Sequence, residues 1–432
     1  MSEFEVVDEI TYRGTSRVVI YSHDTYGLGH LRRNIALAEA LVRSSKTMRI
    51  VIVTGSRVAS SFEIGSQIEL VELPPVIKVG VDEYEAQGIK ISISLIKRAR
   101  AAIIIDIIKR FSPEIFYVDH SPLGMGQELR PVLDFLANER PQILRFIGLR
   151  DIIDSPRNMQ SGWGADGQLE AISTFYNRVY VFGERHLFDL AKSYGLANGS
   201  SLRYLSYIGK PEFLEAGIRR SEVFADPSFG GGHLLVTSGG GGDGLSLCEL
   251  GILLGKVTGY KTVVVTGPLM DRDALRQLAA LAEGHSNIEI IEFCANFEAL
   301  VAKARVALAM GGYNTTLELA AARVPTIYLP RTYPREEQLV RANIFESLGF
   351  GRVVSVGEWS LEMIVDQLKS FWARPILDDS VTLEMSAIPR FASQIVVPGR
   401  SERFSGGPIG ASGDGVESKG SSVPMLDVDL RA

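Results

Sequence analysis

The sequence predicts an α/β protein of two doubly wound, parallel-sheet domains facing a central cleft, with a flexible C-terminal tail. Three observations predict it. Short apolar, β-branched runs alternate with longer stretches whose apolar residues recur at helical spacing. The alternation occurs twice, each half opening on a strand that runs into a glycine-rich loop and then a helix. The composition, 46% hydrophobic and 22% charged over 432 residues, supplies apolar surface for more than one core, and a prior of roughly 150 residues per domain gives two or three.

The elements follow in order. Arg17 to Tyr21 reads as a buried strand. Gly27-Leu-Gly-His30 is the turn after it, and the helix from Leu31 to Val42 comes next. Further strands are expected at Arg49–Val53, Glu114–Asp119, Ile143–Ile147 and Arg178–Phe182, with helices at Ser92–Arg110 and Gln127–Asn138. The second half repeats the arrangement. His233–Thr237 is a strand, Ser238 to Gly244 a loop, and Leu245–Val257 a helix. Strands at Thr262–Val265, Ile288–Ile291, Val306–Ala309 and Thr326–Leu329 follow, and Leu361–Trp372 is a closing helix.

The domain join is expected near Gly209-Lys-Pro-Glu212, where Gly and Pro interrupt regular structure. The expected organisation is an N-terminal extension over 1–16, a first domain over 17–209, a second over 210–397 and a tail over 398–432. The tail is rich in Gly and Ser and cannot bury enough surface to offset its ordering entropy.

Charge and cysteine content exclude several classes. The formal net charge is −6, from 45 basic and 51 acidic residues, which speaks against a nucleic-acid partner. The two cysteines, Cys248 and Cys294, exclude a disulfide framework, offer no zinc spacing and fit a reducing compartment. The acidic N-terminus lacks the pattern of a secretory signal, and the apolar run Ala101–Ile108 is too short to span a membrane and contains Asp106. The expectation is a soluble cytoplasmic protein, with peripheral contact at the inner membrane face left open.

Three glycine-rich turns carry the chemistry. In the first, Gly27 and Gly29 let the backbone turn tightly between strand and helix, so that a ligand can approach. His30 then stands at the mouth of the turn, where an imidazole can take a proton from a hydroxyl; the alternative is a helix-capping histidine. His23 and Asp24 compete for the same role. Asp119-His120 ends another strand on the same sheet edge, so Asp119 can orient an imidazole or merely cap a turn.

The second turn, Gly239 to Gly244, satisfies a dinucleotide-binding pattern, but four consecutive glycines satisfy it easily. The next strand ends Val264-Val-Thr-Gly-Pro268 without the carboxylate that NAD requires. A phosphate- or sugar-contacting loop of Ser238, Gly239, Gly240 and Gly241 survives. Gly251 to Lys256 resembles a P-loop but has the wrong spacing and lies in a helix. Asp271-Arg-Asp273 reads as a helix cap rather than a metal site.

The third turn is the richest. Gly311 and Gly312 follow a strand, and a helix is expected to start at Asn314 or Thr315, its free N–H groups suited to a diphosphate. Glu318, one turn in, can accept both ribose hydroxyls. The alternative is that Thr315-x-x-Glu318 is a capping box with no ligand. Beyond the next strand, Pro330 to Gln338 forms a polar loop, in which Gln338 can donate and accept.

These motifs resemble the family 28 glycosyltransferases of the GT-B fold. The resemblance rests on the Gly-rich turn, Thr315-Thr-Leu-Glu-Leu-Ala-Ala, a Pro325-led strand ending in Pro330, Glu337-Gln338 with Asn343 downstream, and Gly27-Leu-Gly-His30 in the first half. It implies two Rossmann-like domains and inverting transfer of a hexosyl group from a nucleoside-diphosphate sugar, UDP-linked, to an acceptor. It implies no cofactor and no bound metal. Glu318 would hold the donor ribose, Gln338 and Glu337 the sugar, and Ser238 to Gly244 the sugar or phosphates. Gly27, Gly29 and His30 would form the acceptor-side turn, with His30 a candidate base. The first turn departs from the family's Gly-x-Gly-Gly-His, so the acceptor, whether carbohydrate, lipid-linked or small molecule, stays unnamed. An epimerase or hydrolase on the same fold, an NAD-dependent oxidoreductase and a nucleotide-sugar sensor are the rival readings.

Overall fold

The computed structural model describes residues 17–395, apart from 25–28, 57–58, 60–61, 79–83, 87–90, 197–201, 227–229, 241, 356–358 and 379. The N-terminal extension and the expected tail fall outside the described residues, as do Gly27 and Gly241.

In the first half the chain forms β1 (Arg17–Ser22), α1 (Gly29–Ser44), β2 (Arg49–Thr54) and β3 (Ile68–Glu72). A short antiparallel pair follows, β4 (Val76–Lys78) with β5 (Tyr84–Ala86). Next come α2 (Ile93–Phe111), β6 (Ile115–Asp119), α3 (Arg130–Glu139) and β7 (Leu144–Arg150). The half closes with α4 (Pro156–Met159), a π-helical turn at Gln160–Gly164, α5 (Gln168–Phe175), β8 (Arg178–Phe182), α6 (Leu190–Tyr194) and β9 (Leu202–Tyr204). The seven sheet strands pair in the order β3-β2-β1-β6-β7-β8-β9, all parallel. Strands β1, β6 and β8 are almost wholly buried because helices cover both faces.

The second half begins with α7 (Pro211–Ala225), β10 (His233–Thr237), α8 (Leu245–Thr258), β11 (Thr262–Val265) and α9 (Arg272–Ala282). It continues with β12 (Ile288–Ile291), α10 (Phe297–Ala302), β13 (Ala304–Ala309), α11 (Tyr313–Ala321), β14 (Thr326–Tyr328) and α12 (Glu337–Ser347). Last come β15 (Gly351–Val353), α13 (Leu361–Ala373) and α14 (Ala387–Ile395). Its six strands pair in the order β12-β11-β10-β13-β14-β15, again all parallel.

Both sheets reverse direction of growth beside their first strand, between β1 and β6 and between β10 and β13. In open α/β sheets, ligands bind outside the carboxyl ends of the strands at such a reversal. The described parts of the three glycine-rich turns lie there, with the Asp119-His120 segment. The fold thus brings all of the sequence's candidate segments to two facing edges.

One difference from the sequence reading concerns α14. Its residues fall in the span expected for the second domain, yet Phe391 packs on Tyr117, Tyr180 and Phe182 of the first sheet. The amphipathic segment finds its apolar bed there, and its position cannot be read from local spacing. The join itself is ordered: Lys210 precedes α7, which starts on Pro211, a residue suited to a first helical position.

Candidate active site

The facing edges bound an open cleft of about 2890 Å³. A pocket for one drug-sized ligand measures roughly 300–1,000 Å³, so the cleft has room for two substrates side by side.

The first-domain wall centres on His30 and Asp119. His30 Nδ1 lies 2.7 Å from Asp119 Oδ2, and Arg33 donates to the other carboxylate oxygen. Arg150 Nη2 lies 3.0 Å from His30 Nε2. A guanidinium can only donate, so Nε2 accepts; an ionised carboxylate can only accept, so Nδ1 carries the proton given to Asp119, and Arg33 Nη2, 3.2 Å from Nδ1, donates to the carboxylate instead. Burial by itself raises the Asp119 pKa, but the charges of Arg33 and His30 outweigh it and hold the carboxyl well below the usual range. Burial and the positive charge of Arg150 push His30 below its ordinary value, although Asp119 pulls the other way. The ring is therefore neutral near pH 7. Asp119 orients it through the second nitrogen, beyond what a simple turn cap would do.

Asp24 plays another part. Its carboxylate accepts from Leu31 N at 3.0 Å and from Thr54 Oγ1 at 2.5 Å, so it ties the start of α1 to β2 rather than serving as a base. His23 and His120 crowd His30, with ring centroids 5.9 and 5.4 Å away. His120 has φ of 68° and a buried Nδ1 without a hydrogen-bond partner. Burial, with Arg150 and His30 adding to it, pushes its pKa well below the ordinary value.

The second-domain wall is built on α11. Gly312, with φ −62° and ψ 144°, is the cap residue, and the helix starts at Tyr313, one position earlier than the sequence suggests. Glu318 is then too deep in the helix for a capping box, and no side chain caps this terminus. Instead Glu318 pairs with Lys210, at the domain join. Burial raises the Glu318 pKa, with Lys210 opposing it. The first N–H groups of α11 have no partners within the helix and open on the cleft, where Gly312, Asn314, Thr315 and Glu318 all lie.

The loop after β10 reaches the same place. A Cβ on Gly239 would sit 3.4 Å from Thr315 Oγ1, and one on Gly244 would overlap Ser238 Cβ at 2.1 Å. Gly239, at φ 68°, also has a backbone that side chains disfavour. Ser238 lines the cleft, but its hydroxyl donates to the Thr266 carbonyl at 2.5 Å. It braces the loop, and Gly239, Gly240, Gly242 and Asp243 line the cleft beside it as candidate donor contacts.

Gln338 and Glu337 line the cleft and also hold the loop beside it. Gln338 is 8% exposed, and its Oε1 accepts from Arg331 N at 3.3 Å. Glu337 bonds Arg331 Nη2 at 3.0 Å, and Arg331 reaches across to Asp243 at 2.6 Å. The two residues shape the loop after β14, which lines the cleft with Arg331 and Pro334. Gly311, at φ 87°, packs against the Gln338 carbonyl so closely that a Cβ would come within 2.8 Å.

The sequence alone missed several cleft residues. Lys210 was read as a domain join, although a lysine between Gly and Pro at a helix start was a visible signal. Phe293, just past β12, lines the cleft with its ring 57% exposed. Arg150 ends β7 with no motif to mark it. The sequence decoys resolve simply. Gly251 to Lys256 lies within α8, and Asp271 Oδ1 caps α9 by accepting from Asp273 N at 2.8 Å. Among the described residues no group of three or more His, Cys, Asp or Glu side chains is placed to hold a metal ion.

Two doubly wound domains whose reversal points face one cleft define the GT-B class of fold. Solved structures share it. MurG of Acinetobacter baumannii is 13% identical with a TM-score of 0.55, covering 88% of this chain and 98% of that one. CalG4, the calicheamicin glycosyltransferase, is 16% identical with a TM-score of 0.55, covering 92% and 96%. A UDP-GlcNAc 2-epimerase from Neisseria meningitidis is 13% identical with a TM-score of 0.54, covering 88% and 98%. More particularly, residues 247–376 match the glycosyltransferase family 28 C-terminal domain. Among curated relatives, the UDP-N-acetylglucosamine--N-acetylmuramyl-(pentapeptide) pyrophosphoryl-undecaprenol N-acetylglucosamine transferase of Haemophilus influenzae (strain PittEE) is 24% identical over 123 residues, 28% of this chain. The same-named protein of Mannheimia succiniciproducens is 26% identical over 111 residues, 26% of this chain. The match spans about a third of these relatives, 34% and 31% of their lengths.

Proposed function

We propose that this protein is an inverting glycosyltransferase that moves a hexosyl group from a nucleoside-diphosphate sugar, UDP-linked, to an acceptor hydroxyl. The observation that supports the reading most is the match of residues 247–376, which include Glu318 and α11, to the family 28 C-terminal domain; Glu318 lines the same cleft as His30, which Asp119 orients. Glu318 holds the ribose, and the exposed Phe293 ring stacks on the base. The start of α11, with Gly239 and Gly240, receives the diphosphate. The acceptor lies against the first domain.

In the transfer, the acceptor oxygen attacks the anomeric carbon while the bond from that carbon to the diphosphate breaks. The electron pair leaves with the diphosphate, whose developing charge the α11 terminus stabilises. The hydroxyl proton passes to His30 Nε2, and Asp119 stabilises the resulting imidazolium. The reading calls on no resident metal or cofactor. A cytoplasmic setting agrees with two free cysteines and with helices too short or too polar, among the described residues, to cross a membrane. Contact with a membrane surface would follow from a lipid-linked acceptor, one of the three acceptor classes considered.

The fold is shared with a UDP-GlcNAc 2-epimerase, so the decisive experiment separates products. Purified protein is incubated with a panel of UDP-sugars and hydroxyl-bearing acceptors, and products are resolved by mass spectrometry. A new glycoside of inverted configuration is the expected result. Only free sugar or an epimerised donor would overturn transfer in favour of hydrolysis or epimerisation. Donor binding with no turnover would favour a sensor, and a response to NAD alone an oxidoreductase.

A further inference from the structure

The centre of the cleft wall holds an excess of positive charge, two arginines buried and a third half-buried. Arg33, Arg150 and Arg341 lie together, and two carboxylates answer them: Asp119 pairs with Arg33, and Asp151 with Arg341. Arg150 has no carboxylate among the described residues. Its Nη2 donates to a neutral ring nitrogen, His30 Nε2, and its buried Nε has no partner. Its other neighbour is the face of Tyr313, the first residue of α11, with the ring centroid 5.7 Å away. Burial first, then Arg33 and Arg341, pushes its pKa down to about 10, while Asp119, not in contact with it, opposes them.

Even a half-buried cation is costly when no anion touches it, and it is kept where something repays the cost. The group lines the cleft beside Gly312 and Asn314, where the unpaired N–H groups of α11 open. Two independent features therefore call for negative charge at one place. The same guanidinium also covers the only lone pair His30 can offer as a base.

We propose that Arg150 is the counter-ion of the donor diphosphate, and that in turning to the phosphates it uncovers His30 Nε2, so that donor binding arms the base. This rests on the glycosyltransferase reading and deepens it. The order of events follows: donor first, then proton acceptance from the acceptor hydroxyl. Arg150 stays protonated throughout, and the movement exchanges one hydrogen bond, to a neutral nitrogen, for stronger bonds to phosphate oxygens.

The test uses calorimetric binding of UDP and of uridine to the full chain, with Arg150→Met and Arg150→Lys beside wild type and unfolding midpoints recorded without ligand. The wild type is expected to bind UDP more tightly than uridine. Arg150→Met should weaken UDP by at least about tenfold and leave uridine unchanged. Arg150→Lys should keep part of the difference. Without ligand, Arg150→Met should unfold no earlier than wild type, because it removes an uncompensated charge. Wild-type affinity for UDP in Arg150→Met would overturn the proposal. So would equal losses for UDP and uridine, or a lowered midpoint, since both mark a structural role. If the wild type bound UDP and uridine equally, the diphosphate assignment alone would fall; if it bound neither, the donor reading would fall with it.

Discussion

Arg341 of α12 and Asp151, the residue following β7, join the two domains through a buried bidentate pair, with Nη2 2.9 Å from Oδ1 and Nε 3.1 Å from Oδ2. Arg341 also donates to the carbonyls of Gly311 at 3.0 Å and Ile152 at 3.2 Å. The residue that ties the domains together thus also fixes the Gly311 turn ahead of α11. Removing one partner leaves an uncompensated buried charge, so Arg341→Met is expected to cost about 3–5 kcal/mol in a denaturant titration. Asp151→Leu added to it should recover part of that loss, and a double-mutant cycle reads the coupling.

Glu318→Gln keeps the shape of the side chain but removes the charge that answers Lys210. It also weakens any acceptance of two ribose hydroxyls. Affinity for uridine, without phosphates, should fall by about tenfold or more. An unchanged uridine affinity would remove Glu318 from the donor site.

The histidines make activity and stability depend on pH in the same direction. His30 must be neutral to act as a base, and its folded-state pKa lies below the ordinary 6.5. The acid limb of kcat/KM is therefore expected below pH 6.5, with a plateau above it. For stability the sign follows from proton binding: below pH 6.5 the unfolded chain takes up protons that buried His30 and His120 refuse. The histidine contribution is thus intact above 6.5 and is lost as pH falls through the window beneath it. Thermal unfolding midpoints between pH 7.5 and 5 should fall, and His120→Asn should flatten the slope.

Phe391 is 1% exposed, with ring centroids 5.3 Å from Tyr117 and 5.1 Å from Tyr180. Phe391→Ala should destabilise by about 3–5 kcal/mol. The loss should appear in the unfolding of the first domain, though the residue lies far along the chain. Hydrogen exchange resolved by segment would locate it: β6 and β8 should lose protection, and β10 and β11 should not.

Much of the fold was legible because parallel strands covered on both faces are continuous apolar runs. Strands Arg178–Phe182, His233–Thr237, Thr262–Val265 and Ile288–Ile291 have the bounds that their composition suggests. Short strands such as Leu202–Tyr204 and Gly351–Val353 were not legible, since three residues carry no period. In the site, glycines announced the turns, because a turn is a local demand on the backbone. Arg150, Arg341 and Asp151 went unread because their meaning lies in pairs, or in a missing pair, made across long stretches of sequence. Gln338 and Ser238 were legible as polar residues, but only the fold shows that Gln338 Oε1 accepts from Arg331 N and that the Ser238 hydroxyl donates to the Thr266 carbonyl.

The chain passes between the domains at Ile208 and returns just before α14, and these two passages are joined. Ile208 bridges Ser386, Tyr207 N donates to the Glu384 carbonyl at 3.1 Å, and Ala387 N donates to the Tyr207 carbonyl at 3.1 Å. The two covalent passages between the domains thus run as one doubled strap, like a door whose two knuckles share one pin. Such a mounting favours rotation about the strap and resists twist and slide. The rim of the cleft farthest from it would travel most as substrates enter and leave, while Lys210, two residues from the pin, would keep Glu318 nearly in place throughout.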